Sequence, residues 1–292
     1  MTNIMKRELV NAIDSMLTDG RHTELLTVFK NGKSTEAFVI RKDGDCASPT
    51  FYFKDFEKTV SSGMPVKRIA EDILAACDTA RVPQIRPNDF TDYEKQKDKI
   101  LFKVVNTTQY KEQLDEIPSV QVNDLSIIFQ IVLENSANGT ATATVTNNLL
   151  DYWKISVDEL YRTALTNTQK MMPLKFAPMG EILSEMCSDD LCSIDFSVPQ
   201  LYVATNKTSL NGFSTIFYPR FLDTLAAKFG RFYILPSSLH EALIVPEELG
   251  TDEESLYQMV CEINRTQVSP ADRLTDNVYW YDAVAKQLMA YV

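Results

Sequence analysis

Two serines, a histidine and a glutamate lie between two apolar runs near the C-terminus, in the stretch FYILPSSLHEALIVP. Hydroxyl, imidazole and carboxylate groups carry out nucleophilic and acid–base catalysis, so this cluster is the first place to look for chemistry. Its members are Ser237, Ser238, His240 and Glu241. A proline followed by two serines is also typical of a turn between strands, and the chain contains no Gly-x-Ser-x-Gly nucleophile elbow. We therefore favour a polar turn, leave open a binding role for it, and keep a hydrolase or transferase centred on His240 as the alternative.

The residue types give little support for a metal site. The pair His240-Glu241 begins like the zinc signature His-Glu-x-x-His, but position 244 is isoleucine and His22 is the only other histidine. Four residues separate Cys187 from Cys192, which indicates two free thiols rather than a zinc or dithiol pair. The chain also lacks the glycine patterns of a P-loop or a dinucleotide-binding turn. We expect no metal and no cofactor.

Two further loops place polar groups at the ends of predicted strands. Asn206 and Lys207 follow the run LYVAT. Tyr218 ends the run FSTIFY, which we predict to be a strand after a turn at Asn211-Gly212. Loops at strand ends commonly carry ligand contacts, although solvated turns are more frequent. These three residues are therefore candidate binding residues.

Composition excludes several classes of protein. The 292 residues are 45% hydrophobic and 24% charged, as in ordinary globular proteins. A net charge of −11 without a cluster of lysines and arginines disfavours a nucleic-acid partner. Charges interrupt the N-terminal segment, and no run of about 18 apolar residues occurs, so we expect neither a signal peptide nor a membrane span. The five scattered cysteines, an odd number, indicate reduced thiols in a cytoplasm.

Hairpins and helices follow one another without a regular βαβ alternation. This order predicts an α+β fold with largely antiparallel sheets built from hairpin-plus-helix units. Asn31-Gly32 between two strand-like runs is a strong hairpin signal. Apolar periodicity predicts helices over residues 3–17 and 65–80, and capping boxes predict further helices after Ser156 and Thr251.

The polar stretch from Arg81 to Lys99 is the best candidate for a domain boundary. It predicts an N-terminal α+β segment over residues 1–82 and a larger α+β domain over residues 99–292. A single domain is the alternative.

Three stretches together are similar to a known family. They are NNLLDYW with the helix that follows, LYVATNKTSLNGFSTIFYP, and FYILPSSLHEALIVP with the segment after it. The chain resembles, over nearly its whole length, a family of uncharacterised proteins from Gram-positive bacteria that is catalogued as a domain of unknown function. The resemblance implies an intracellular bacterial protein and supplies no activity and no catalytic residues.

These observations favour a cytoplasmic, non-enzymatic binding or regulatory module with a protein or small-ligand partner. An acidic surface and exposed hairpin edges suit a protein partner that binds by strand pairing. The sequence leaves the oligomeric state open, including a structural role in a homo-oligomer.

Overall fold

The computed structural model describes residues 1–30, 33–43, 48–80, 87–136, 139–186 and 201–291. The chain divides into two compact units, Met1–Thr91 and Asp92–Val292. Their sheets are antiparallel and are combined with helices, so the predicted α+β class is confirmed. The domain limits predicted from the sequence stay a prediction, and part of the expected boundary, residues 81–86, lies outside the described residues.

Unit 1 is a three-stranded sheet with helices. Its helices are α1 (Asn3–Met16), α2 (Glu57–Ser61), α3 (Val66–Thr79) and α4 (Pro87–Phe90). Its strands are β1 (His22–Lys30), β2 (Lys33–Arg41) and β3 (Thr50–Tyr52), in the order β1-β2-β3. The hairpin of β1 and β2 forms as predicted, although its turn, Asn31-Gly32, lies outside the described residues.

The core of unit 1 forms where the apolar stripes of α1 and α3 meet one face of the sheet. Leu9 and Ile13 of α1 are buried against Phe38 and Ile40 of β2. Helical spacing predicts this stripe, because residues three and four apart share one helix face. Thr2 caps α1 by accepting a hydrogen bond from the Met5 N–H, at 3.3 Å.

Unit 2 contains two sheets. The first consists of β4 (Ile100–Asn106), β5 (Ser119–Val122), β6 (Leu125–Ser136) and β7 (Gly139–Thr144). Strand β6 is its centre, and β4, β5 and β7 each pair with β6. The second has the order β13-β12-β10-β11-β9-β8 and consists of β8 (Leu174–Pro178), β9 (Tyr202–Asn206), β10 (Phe232–Ser238), β11 (Glu241–Pro246), β12 (Val278–Asp282) and β13 (Gln287–Tyr291). Its helices are α5 (Tyr93–Gln96), α6 (Lys111–Leu114), α7 (Asn147–Trp153), α8 (Val157–Met171), α9 (Met179–Met186), α10 (Phe221–Phe229) and α11 (Glu253–Thr266).

The prediction of a strand over the run FSTIFY is wrong, because residues Gly212–Phe217 form a 3₁₀ helix. Asn211 starts it in a left-handed conformation, with φ of 51°. Thr215 Oγ1 donates a hydrogen bond to the Gly212 carbonyl at 2.7 Å, which holds the tight turn. Residues 212–216 are buried, and the aromatic and β-branched residues of this run are also typical of a buried strand.

The start of α11 also differs from the prediction. The helix begins one residue later than a cap at Thr251 requires, because the Asp252 carboxylate accepts the capping hydrogen bond from the Ser255 N–H at 2.8 Å. At α8 the predicted cap is found, since Ser156 Oγ accepts from the Glu159 N–H at 3.2 Å. Strand β8 was not predicted, since its sequence LKFAP lacks clear alternation.

The outer edge of β4 is closed by side chains of α8. Thr168 Oγ1 accepts a hydrogen bond from the Phe102 N–H at 3.1 Å and donates to the Ala164 carbonyl at 2.7 Å. Asn167 Nδ2 donates to the Ile100 carbonyl at 2.9 Å. These side chains take the place of a neighbouring strand at two outward-facing backbone groups of β4, the Phe102 N–H and the Ile100 carbonyl.

We expect Thr168→Val to lower the free energy of unfolding by about 1–3 kcal/mol, because the substitution keeps the shape but leaves the buried Phe102 N–H without an acceptor. Urea denaturation measures the loss. Thr166→Val is the matched control, since the Thr166 hydroxyl makes the same bond to a carbonyl four residues back, that of Arg162, on the exposed face of α8. Equal stability of the two variants would contradict the closed edge.

Candidate functional site

The serine–histidine–glutamate cluster forms the tip of the β10–β11 hairpin. Ser238 Oγ accepts a hydrogen bond from the His240 N–H at 3.0 Å, and Ser237 Oγ donates to Glu241 Oε1 at 3.0 Å. The register of the hairpin shifts between Pro236 and Ser238, which makes room for the bulged tip. The hydroxyls therefore satisfy groups of the turn itself, as the sequence favours.

Both nitrogens of the His240 ring face a partner. Nδ1 accepts a hydrogen bond from the Asn211 N–H at 3.2 Å, and Nε2 lies 3.4 Å from Asp272 Oδ1. In the neutral ring this arrangement places the proton on Nε2, toward the carboxylate. No lone pair is then free to act as a general base, so the geometry does not favour catalysis at this position.

The backbone around His240 is anchored as firmly as its ring. The His240 carbonyl accepts from Thr205 Oγ1 at 2.7 Å, and the Leu239 N–H donates to the Asp272 carbonyl at 2.7 Å. Gly212 approaches so closely that a β-carbon placed on it would lie 2.1 Å from the His240 carbonyl oxygen. The hairpin tip is thus packed against the segment that follows β9.

The other three predicted residues also hold the fold. Asn206 is fully buried, accepts from the Thr208 N–H at 2.9 Å and donates to the Leu210 carbonyl at 2.7 Å. Tyr218 is buried and donates to the Met172 carbonyl at 2.7 Å, and burial raises its pKa to about 12. The backbone N–H of Lys207 donates to the Pro173 carbonyl at 3.0 Å.

The structure therefore gathers the predicted residues into two neighbouring groups around the end of β9. Ser237, Ser238, His240 and Glu241 form the hairpin tip, and Asn206 and Tyr218 both contact Met172. Within the described ranges, no three histidine, cysteine, aspartate or glutamate side chains are grouped to hold a metal ion. Cys187 and Cys192 lie outside those ranges.

A concave groove of about 590 Å³ lies in unit 1, between α1 and the β1–β2 hairpin. Helix α1 contributes one side with residues three and four apart, which therefore share one face. These residues are Asn3, Lys6, Arg7, Val10 and Asn11. None of them was predicted as a site residue, because polar residues on a helix face normally indicate a solvated surface.

Strand β1 forms the opposite side of the groove with Leu25, Leu26 and Thr27. It is an end strand of its sheet and pairs only with β2 in the described part of the chain. Leu25 pairs with Phe38, so its side chain points to the face that α1 covers, yet it is 62% exposed. The exposed Leu25 side chain thus lies on an end strand whose outer edge has no neighbouring strand among the described residues.

The direction of the backbone groups of β1 follows from one hydrogen bond. The Thr23 N–H donates to Asp14 Oδ1 of α1 at 2.9 Å, so it points away from β2. In an antiparallel pair, residues alternate between pointing both backbone groups at the partner strand and pointing both away from it. Leu25 and Thr27 therefore also turn their N–H and C=O groups outward. We call this side of β1 the open edge.

Two contacts fix α1 alongside the open edge. Asp14 meets Thr23 at one end, and Lys6 forms an ion pair with Glu36, the partner of Thr27 in the hairpin, at the other. Eight helical residues rise about 12 Å, and four strand residues span about 13 Å. The helix therefore runs antiparallel to β1, and the groove between them follows the strand.

The floor of the groove is apolar, and the positive and negative charges of the residues that line the groove do not balance. The Lys6 ammonium lies 5.7 Å from the centre of the Phe53 ring, and its charge is balanced by Glu36. The Arg7 side chain is exposed and makes no ion pair or hydrogen bond with the described residues. The lining of the groove consequently carries one unbalanced positive charge.

We expect Gly212→Ala to lower the free energy of unfolding by about 3 kcal/mol, because the added methyl group would overlap backbone atoms and separate Thr205 from the His240 carbonyl. Urea denaturation provides the measurement. Ser214→Ala is the control, since the Ser214 hydroxyl is buried without a hydrogen-bond partner among the described residues. A Gly212→Ala protein as stable as the wild type would show that the hairpin tip is loosely packed.

Comparison with known proteins places the chain in a family. The profile of a family of unknown function, DUF5688, matches residues 2–283. No curated protein and no solved structure matches the chain. Among the described residues, no helix has the length and apolar character needed to cross a bilayer. Since the matched residues span nearly the whole sequence, the chain belongs to the DUF5688 family.

Proposed function

We propose that this protein is a non-enzymatic binding module that takes an extended segment of a protein partner along the open edge of β1. The observation that carries the proposal is that Leu25 and Thr27 turn unpaired backbone groups into a groove. An extended peptide added at such an edge continues the ladder of hydrogen bonds, and its alternate side chains enter the groove.

The contrast between the two units supports a binding role for this edge. In unit 2, Thr168 and Asn167 of α8 lie against the free edge of β4 and hydrogen-bond to the Phe102 N–H and the Ile100 carbonyl. In unit 1, α1 lies beside β1, and among the described residues only Asp14 bonds to an outward-facing group of this strand, at Thr23. Exposed edges usually carry features that prevent pairing, so a groove beside an open edge suits a partner strand.

The exposed Leu25 side chain would add an apolar contribution to the free energy of binding a partner strand. Its side chain, 62% exposed, lies on the same groove as Val10 and the Phe53 ring. A partner side chain placed there would remove apolar surface from water, at about 25 cal/mol per Å². The groove volume also suits a small ligand, but outward-facing backbone groups favour a peptide.

We place this function in the cytoplasm of a bacterial cell. Cys77 and Cys261 are free thiols in the described part of the chain. Free thiols suit a reducing compartment, and a net charge of −11 favours solubility.

Thr27→Pro tests the proposed function. Proline removes the Thr27 N–H, which points away from β2, so the hairpin keeps its ladder while a partner strand loses a hydrogen bond and meets the ring. The probe is an array of immobilised decapeptides with alternating apolar and polar residues. We expect a subset to bind the wild type and to bind Thr27→Pro at least about tenfold more weakly, at an unchanged melting temperature.

Leu26→Pro is the matched control, because the Leu26 N–H belongs to the ladder with β2 and its loss should lower the melting temperature. Array peptides that bind both wild type and Thr27→Pro equally would contradict strand addition at this edge.

A further inference from the structure

A row of three hydrogen-bonding side chains runs along the groove on α1. Asn3, Arg7 and Asn11 are four residues apart, so they lie on one helix face, and all three line the groove. They are exposed, and none makes a side-chain hydrogen bond or ion pair with the described residues. Three polar side chains that converge on a groove without partners are available to a ligand.

Arg7 differs from the other arginines of its unit. The described part of unit 1 contains four arginines. Arg21 pairs with Asp19 and Asp78, Arg41 pairs with Glu24, and Arg68 pairs with Glu71 and Asp72. Among these four arginines, only Arg7 has no carboxylate as an ion-pair partner within the described residues. The chain has more acidic than basic residues, so such partners are plentiful.

From these observations, and resting on the proposed function, we propose that the groove selects an acidic segment of the partner protein, with Arg7 binding a carboxylate of the added strand. A guanidinium group binds a carboxylate through two parallel hydrogen bonds, which gives both strength and orientation. The charge of the neighbouring Lys6 is already balanced by Glu36, so Arg7 supplies the net charge of the site.

The spacing of the row matches that of an extended peptide. Residues four apart on a helix rise about 6 Å, and alternate residues of a strand are about 6.6 Å apart. Because α1 runs antiparallel to β1, successive side chains on one face of an added strand meet successive members of the row. One such side chain can then face Arg7 and the next can face Asn11.

The position of the acidic residue follows from the contacts of α1. Lys6 reaches the level of Thr27 through Glu36, and Arg7 is its neighbour on the helix. Leu25 lies one alternate position away along β1, and because α1 runs antiparallel to β1, its level corresponds to that of Val10 and Asn11 on the helix. The preferred segment therefore carries Asp or Glu two residues from Leu, Ile or Val.

A peptide series tests this selectivity. The probes are fluorescent decapeptides of alternating Thr and Val that contain Glu-x-Leu or Leu-x-Glu, together with the same peptides in which Gln or Lys replaces Glu. Fluorescence anisotropy measures Kd for each peptide. We expect the wild type to bind one of the two Glu peptides about tenfold more tightly than its Gln counterpart, and this preference to diminish in high salt.

Charge variants locate the selectivity. Arg7→Gln should remove the preference for Glu while retaining the binding that the Gln peptide shows, and Arg7→Glu should favour the Lys peptide. Arg68→Gln is the matched control, because it removes the same charge from an exposed helix position of the same unit and should leave the preference unchanged.

The outcomes separate this inference from the proposed function. Binding that Thr27→Pro abolishes, with equal Kd for the Glu and Gln peptides, would overturn the role of Arg7 and leave strand addition standing. Absence of binding to every peptide, or binding that Thr27→Pro does not weaken, would overturn both. Light scattering tests a further outcome. If the wild type forms a concentration-dependent dimer and Thr27→Pro is a monomer, a second copy of the chain fills the groove. That result would also overturn the proposal that the partner is an acidic segment of another protein.

Discussion

Backbone N–H and C=O groups need hydrogen-bond partners, and at the edge of a sheet the neighbouring strand is missing. The protein meets this constraint in different ways. At β4, two side chains of α8 supply the acceptor and the donor that a further strand would provide. At β1, the Asp14 carboxylate accepts from the Thr23 N–H, and the next outward-facing groups, at Leu25 and Thr27, face a groove with no hydrogen-bond partner in the part of the chain that the structure describes. The proposed function depends on this difference.

The side chains whose residue types suggest catalysis also provide hydrogen-bond partners for backbone groups. Ser238, His240 and Asn206 each bond to backbone groups of their own turns or of the segment packed against them. Their polar side chains compensate for the chain reversals at the ends of β9 and β10. A serine, a histidine and an acidic residue in one sequence window can therefore also serve to hold a half-buried hairpin tip in place.

The sequence predicts the elements whose periodicity is unambiguous. The apolar stripe of α3 and the hairpin of β10 and β11 were expected at nearly their observed limits. The run FSTIFY was assigned to a strand because aromatic and β-branched residues after a turn signal are typical of strands. The close approach of Gly212 to the His240 carbonyl, which accompanies the 3₁₀ helix, is a tertiary contact that the local sequence does not show.

The groove in unit 1 could not be predicted from the sequence, because it too depends on tertiary contacts. Exposed hairpin edges were anticipated in general, but Asn3, Arg7 and Asn11 read as an ordinary solvated helix face. Only the placement of α1 beside β1, through Asp14 and Lys6, turns that face toward the open edge of β1.

Strand addition requires that the open edge of β1 is unpaired in the free protein, and amide hydrogen exchange of the isolated monomer measures this directly. We expect fast exchange at Leu25 and Thr27 and slow exchange at Leu26 and Val28, whose N–H groups point into the ladder with β2. Slow exchange at all four amides would mean that the edge already has a partner within the chain, and would contradict strand addition at β1.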